Sequence, residues 1–225
     1  MVMFCLGSTV MSDSLVHYVG KAYDIKTKEF LYKEEYKEFK DGGDLKATSV
    51  YTNKKNDIIA RKELIYKQNF QAPCLEFYNE VTGVIASVNV GENMEIAYRS
   101  SFSKSFKRSQ QLVSDYTVVD SGLHYYIVKH WDALLSGKET PVRYVSPSKR
   151  RDFLLSVKKN RIEEWRGRET VLFKVQPQSF FLRLFLKPIM IRYELKQKRL
   201  ITYQGISNIK LSKKINKIYM ELEYF

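Results

Sequence analysis

Most of this chain alternates apolar and polar residues at period two, and one stretch departs from that rhythm. Within DSGLHYYIVKHWDALLSG, residues 120–137, the side chains of Leu123, Tyr126, Ile127, His130, Trp131, Leu134 and Leu135 recur at i, i+3, i+4 and i+7. They fall on one helical stripe. Asp120 or Ser121 suits the N-cap, and Gly137 suits the left-handed residue that ends a helix. The spacing predicts one amphipathic helix over about 121–136.

The remainder reads as strands. Residues 15–24 and 30–39 form the first two, with Tyr32 and Tyr36 on one face and Lys33, Glu35 and Lys37 on the other. Asp41-Gly42-Gly43-Asp44 is a tight-turn signal. Residues 45–53, 58–67, 75–80, 84–90 and 94–100 continue the meander, and a basic, serine-rich connection runs from Phe102 to Gln111. After the helix, 142–145, 153–159, 163–165, 171–175, 189–195, 200–205 and 215–225 complete the sheet. The segment SFFLRLFLK, 179–187, is apolar on almost every side and stops at Pro188, which predicts a short buried helix with Phe181 and Phe185 on one face. The expected fold is mainly β: a single large curved antiparallel sheet or partly open barrel, with the long helix packed on its concave side.

With 225 residues, 44% of them hydrophobic, the chain can bury a full core, so residues 15–225 are expected to form one β-rich domain. The 16 Tyr and 13 Phe against 2 Trp favour pleated, half-buried surfaces. The net charge of +13 is uneven: from Arg99 to Lys217 there are 26 Lys and Arg against 9 Asp and Glu. Such a field attracts anionic partners, or is simply a lysine-rich solvated surface.

Residues 1–14, MVMFCLGSTVMSDS, resemble the end of a secretory signal peptide without its basic start, so a periplasmic or otherwise exported protein is expected. Phe4 stands where a lipobox needs a small residue, which argues against lipidation of Cys5. Removal of the leader leaves Cys74 alone, which excludes an internal disulfide and a cysteine metal site.

Signals for catalysis are absent. His17, His124 and His130 have no spacing that puts two of them on one helical face for a metal. His130, beside Trp131 and Asp132, reads as a core residue of the stripe rather than as a base. No G-x-S-x-G or phosphate-loop sequence occurs, and the adjacent pairs Glu34-Glu35 and Glu163-Glu164 point to opposite faces of a strand. No enzyme, metal or cofactor is expected. Lys149, Arg150 and Arg151 with Phe153, and Lys158 and Lys159 with Trp165, interleave charge and rings as single-strand binders do. No recognised nucleic-acid motif accompanies them, and export would deny access.

Five segments, GKAYD (20–24), IARKEL (59–64), VVDSGLHYYIVKHWDALLSG (118–137), VSPSKRRDF (145–153) and YQGISNI (203–209), resemble in that order an uncharacterised family of exported bacterial proteins. The resemblance implies compartment and fold, since that family has no assigned activity. Its strand-rich pattern around a helix is similar to the curved sheets of periplasmic lipoprotein and lipid carriers, a likeness of fold alone. The aromatic content and the two apolar helices suggest a monomeric, non-enzymatic protein with a groove for a lipid or other apolar or anionic ligand. Tyr126, His130, Trp131, Phe181 and Phe185 would line it, while Lys149, Arg150, Arg151, Lys158 and Lys159 would meet an anionic membrane surface. The alternatives are a nucleic-acid-binding protein and a structural envelope protein in which the same side chains pack into a closed core.

Overall fold

A computed structural model describes residues 15–185, 187–211 and 217–225 of the chain, so the expected leader and Cys5 lie outside the described residues. Eight strands come first: β1 (Val16–Asp24), β2 (Phe30–Asp41), β3 (Asp44–Thr52), β4 (Ile58–Tyr66), β5 (Cys74–Asn79), β6 (Ile85–Val90), β7 (Asn93–Arg99) and β8 (Lys107–Leu112). A two-residue bridge strand, β9 (Thr117–Val118), leads into α1 (Gly122–Lys129) and α2 (Trp131–Leu135). Then follow β10 (Thr140–Ser146), β11 (Arg151–Trp165), β12 (Arg168–Pro177), α3 (Phe180–Phe185), β13 (Ile189–Glu194), β14 (Leu200–Ile206) and β15 (Lys217–Tyr224).

All these strands belong to one sheet in the order β8-β7-β6-β5-β4-β3-β2-β1-β15-β14-β13-β12-β11-β10-β9. Neighbours are antiparallel except β9, which runs parallel to β10. The chain thus makes two meanders, joined where β1 pairs with β15. The two edge strands β8 and β9 are separated by residues 113–116 only. A flat sheet would hold them about 65 Å apart at the usual strand spacing, whereas that connection spans at most about 18 Å. The sheet therefore curls on itself into an antiparallel barrel-like body. The seam has no ladder between β8 and β9; Ser109 of β8 instead donates its hydroxyl to the Arg150 carbonyl at 2.7 Å.

The helical segment fills the inside. Tyr126, Ile127, Trp131 and Leu134 pack against Val142, Val157, Val171, Phe173, Val175, Ile191 and Tyr193 from one wall. Val119 and Tyr125, from the same segment, meet Tyr36, Leu64, Tyr66 and Leu75 from the other. The stripe was legible in the sequence, but the helix is not continuous: His130, at φ −102° and ψ 17°, separates α1 from α2. The end is as its glycine requires. Gly137 takes φ +94°, Lys138 N–H bonds the Ala133 carbonyl at 3.0 Å and Gly137 N–H the Leu134 carbonyl at 3.0 Å, the pair of bonds that closes a helix through a left-handed residue.

The start differs from the expected cap. Ser121 makes no side-chain capping bond, and Asp120, at φ +45°, accepts the Ser121 N–H at 2.8 Å and the Ser121 hydroxyl at 2.9 Å together with the Lys62 ammonium, and not the N–H groups further into the first turn. The turn between β2 and β3 uses two left-handed glycines, Gly42 at φ +60° and Gly43 at φ +89°, as a two-residue hairpin demands. The strands expected over 153–159 and 163–165 are one strand, β11, carrying a bulge between Lys159 and Arg161. Part of the expected basic connection is strand β8, whose side chains are mostly exposed.

Candidate functional site

Alternation places residues 32, 34, 36 and 38 of β2 on the inner face, so two glutamates enter the barrel beside two tyrosines. In β4 the same phase sends Lys62 inward with Ala60, Leu64 and Tyr66. The Lys62 ammonium donates to Asp120 Oδ1 at 2.7 Å and to Ser121 Oγ at 3.3 Å, and lies 3.6 Å from Glu34 Oε1. Glu34 Oε1 also accepts the hydroxyls of Ser49 and Tyr51, each at 2.7 Å. Burial alone would press Lys62 to lose its proton, but Asp120, Tyr51 and Glu34 together outweigh it and raise its pKa above the ordinary lysine range. For Asp120 burial opposes ionisation, and the bonds from Lys62 and Ser121 outweigh it and lower its pKa.

A second polar knot lies further along the same wall. Glu38 Oε1 accepts from Tyr125 OH at 2.7 Å and Tyr36 OH at 3.0 Å, and Tyr36 OH lies 3.3 Å from Tyr66 OH. Burial raises the Glu38 pKa against these two hydroxyl bonds. His124 stacks on Tyr193, with its Nδ1 3.3 Å from the Tyr193 hydroxyl, and burial pushes its pKa down to about 4. These groups are engaged with one another. Among the described residues no group of three or more His, Cys, Asp or Glu could hold a metal ion.

The residues expected to line a ligand groove divide between inside and outside. Tyr126 and Trp131 are buried; the Tyr126 hydroxyl donates to the Pro141 carbonyl, and the Trp131 ring meets Phe173 and Tyr193 edge-on at 5.6 and 5.8 Å. His130 is half-buried with its ring 4.5 Å from that of Tyr126, and burial followed by Lys129 and Lys138 lowers its pKa. Phe181 is on the outer surface with Phe180, which corrects the expectation that Phe181 is buried. The side chain of Phe185 lies outside the described residues.

The basic candidates lie mostly at one end of the barrel. Lys149 and Arg151 are exposed in and after the turn joining β10 to β11, and the Arg151 guanidinium covers the Phe153 ring at 4.8 Å. Arg150 is half-buried at φ +54°. Lys158 is half-buried on β11. Lys159 points inward, where its ammonium donates to the Leu135 carbonyl and so serves the C-terminal end of α2. The groups that sequence reasoning missed are Lys62, Glu34 and Glu38. The available signal was phase: each is a charged residue in register with buried tyrosines or aliphatic residues.

An open groove of about 870 Å³ lies on the outer face of β4 to β8, with Glu63, Glu76, Glu95, Lys67, Arg108 and Cys74 among its lining. Glu63 pairs directly with Glu76 across β4 and β5. Cys74 is half-buried, and its sulfur accepts the Val90 N–H at 3.4 Å.

No protein-family model matches the chain, and no curated protein sequence matches it. Its fold is similar to the crystal structure of a beta-barrel-like protein of a domain of unknown function, DUF1849, from Brucella abortus. The likeness covers 95% of this chain and 97% of that one with a TM-score of 0.52 and 6% sequence identity. It is a likeness of fold alone, to an uncharacterised β-rich bacterial protein.

Proposed function

We propose that the protein is a non-enzymatic, exported β-barrel-like protein that contacts an anionic membrane surface through the basic rim at one end of its barrel. The observation that carries this reading is the placement of Lys149 and Arg151, both exposed, at the β10–β11 turn beside the seam of the sheet. Among the described residues neither forms an ion pair with a carboxylate, and Asp152, the neighbouring one, is paired with Arg143 at 2.5 Å. A carried ligand inside the barrel is disfavoured, since Tyr126, Trp131, Phe173 and Tyr193 fill the interior with contacting rings. Export rests on the leader-like start and on the sequence resemblance.

Co-sedimentation with vesicles of phosphatidylglycerol and phosphatidylcholine tests the membrane reading. Binding should exceed that to phosphatidylcholine alone and fall steeply with salt, because screening shortens to about 8 Å at physiological ionic strength. Replacing Lys149, Arg150 and Arg151 by Gln should weaken binding while leaving the melting temperature nearly unchanged. Equal binding to neutral and acidic vesicles overturns the reading, and tighter binding to single-stranded nucleic acid than to vesicles replaces it. Recovery of the protein only from the cytosol overturns the export.

A further inference from the structure

We infer that α3 is an apolar anchor, with Phe180 and Phe181 entering the interfacial layer of an anionic phospholipid membrane. The inference rests on the anionic-surface reading above and adds to it a specific point of insertion.

Phe180 is 69% exposed, Phe181 75% and Leu154 53%. Single exposed apolar side chains are ordinary, but these belong together. The two phenyl rings contact each other edge-on at 6.1 Å, and Gln178 N–H bonds the Leu154 carbonyl at 3.2 Å, which sets Leu154 at the base of the helix. The wedge is held out from the barrel and not left loose. Arg183 donates its Nε–H to the Pro177 carbonyl at 2.6 Å and an Nη2–H to Glu139 at 3.3 Å, and its own N–H to the Ser179 carbonyl at 3.2 Å.

The charge around the wedge fits anionic headgroups. Exposed Lys138 adjoins Glu139 and exposed Lys187 follows the helix, while exposed Arg151 opens β11 at the same end, on the opposite face of the strand from Leu154. The carboxylates nearby are already paired, Glu139 with Arg183 and Asp152 with Arg143. Rings at headgroup depth flanked by Lys and Arg are the combination that holds a protein on such a surface. A second copy of this chain is a poor occupant: two positive rims would repel. Three apolar side chains also fall far short of the roughly 800 Å² that each partner buries in a stable protein interface.

The test is a Phe181→Trp variant of the full chain, its emission compared with that of the wild-type protein carrying Trp131 and Trp165. With phosphatidylglycerol–phosphatidylcholine vesicles the new indole should shift to the blue and be quenched by brominated acyl chains, with no change on phosphatidylcholine alone. Phe180→Ser with Phe181→Ser should lose about tenfold or more in vesicle affinity, as expected for two apolar rings kept in water, at an unchanged melting temperature. If vesicles bind and the Lys149, Arg150 and Arg151 substitutions weaken them, yet the indole stays in water, the anchor is wrong and the electrostatic reading stands. Absence of all vesicle binding overturns both. Concentration-dependent dimerisation, lost in the Ser variant, assigns the wedge to a second copy and overturns the anchor.

Discussion

The ammonium of Lys62, on β4, donates to the carboxylate of Asp120, just before α1, at 2.7 Å across the barrel interior. One inward lysine thereby ties the start of the filling helix to the wall on which Glu34 also stands. Both carboxylates have left water, and among the described residues Lys62 is the cation paired with them.

Lys62→Met should therefore cost about 3–5 kcal/mol, because it leaves buried carboxylates without their counter-charge. Urea unfolding reads the loss directly. Adding Asp120→Asn to Lys62→Met should recover part of it, since one stranded charge is removed while Asn tolerates the left-handed φ of +45°. A Lys62→Met protein as stable as wild type would mean that the pair does not hold the helix.

His124 gives the barrel a pH dependence of defined sign. Its folded pKa of about 4 lies below the unfolded value of about 6.5, so between these two pH values the unfolded chain binds more protons. Stability falls as the pH drops from about 6.5 to about 4, by about 3 kcal/mol at most. His124→Phe keeps a ring against Tyr193 and removes the titration. Its stability should be lower overall, through the lost hydroxyl bond, but flatter across that window. An unchanged slope would assign the acid sensitivity to another group.

The hairpins and the helical stripe were legible in the sequence because each is a local rule: Gly42 and Gly43 supply left-handed φ, and Ile127, Trp131 and Leu134 share a face. Strand β8 was not legible. Lys107 to Leu112 lies at the sheet edge with both faces largely in water, so no apolar alternation marks it. The buried charges were half legible. Glu34 lies between Tyr32 and Tyr36 in phase, but that it is buried depends on Lys62, 28 positions later, and on Asp120, 58 beyond that. Phe180 and Phe181 misled for a physical reason: an apolar run reads as core whether the fold covers it or leaves it outside.

Trp131→Ala should cost about 3–5 kcal/mol, as the indole is buried against Phe173 and Tyr193. Its neighbour Asp132 is exposed, so Asp132→Ala should cost no more than about 0.5 kcal/mol. His130, half-buried at the junction of α1 and α2 with its ring on Tyr126, should fall between them at about 1 kcal/mol. Urea midpoints of the three variants check the order. A neutral Trp131→Ala would show that the helical segment is not the core element.

Gly122 should reverse the usual helical rule. Replacing a helical glycine by alanine ordinarily stabilises by about 0.5–1 kcal/mol, through the lower entropy of the unfolded chain. Here the first residue of α1 is buried, and a Cβ would stand 2.1 Å from the Gln71 carbonyl oxygen and 2.9 Å from Pro73 Cδ. The Gln71 oxygen also accepts the Val119 N–H at 3.0 Å, so the backbone that would have to move is itself bonded to the segment leading into the helix. Gly122→Ala should destabilise by about 1–3 kcal/mol, as overpacking does, and Gly122→Val by more. Gly137, at the other end, has open space around its Cβ position but φ +94°. Its substitutions should follow conformation and not volume, with Asn tolerated better than Ala. Urea unfolding of the four variants separates the two causes: a Gly122→Ala midpoint above wild type would show that α1 does not pack against the Gln71–Pro73 backbone, while equal losses for Asn and Ala at Gly137 would remove the left-handed end of α2.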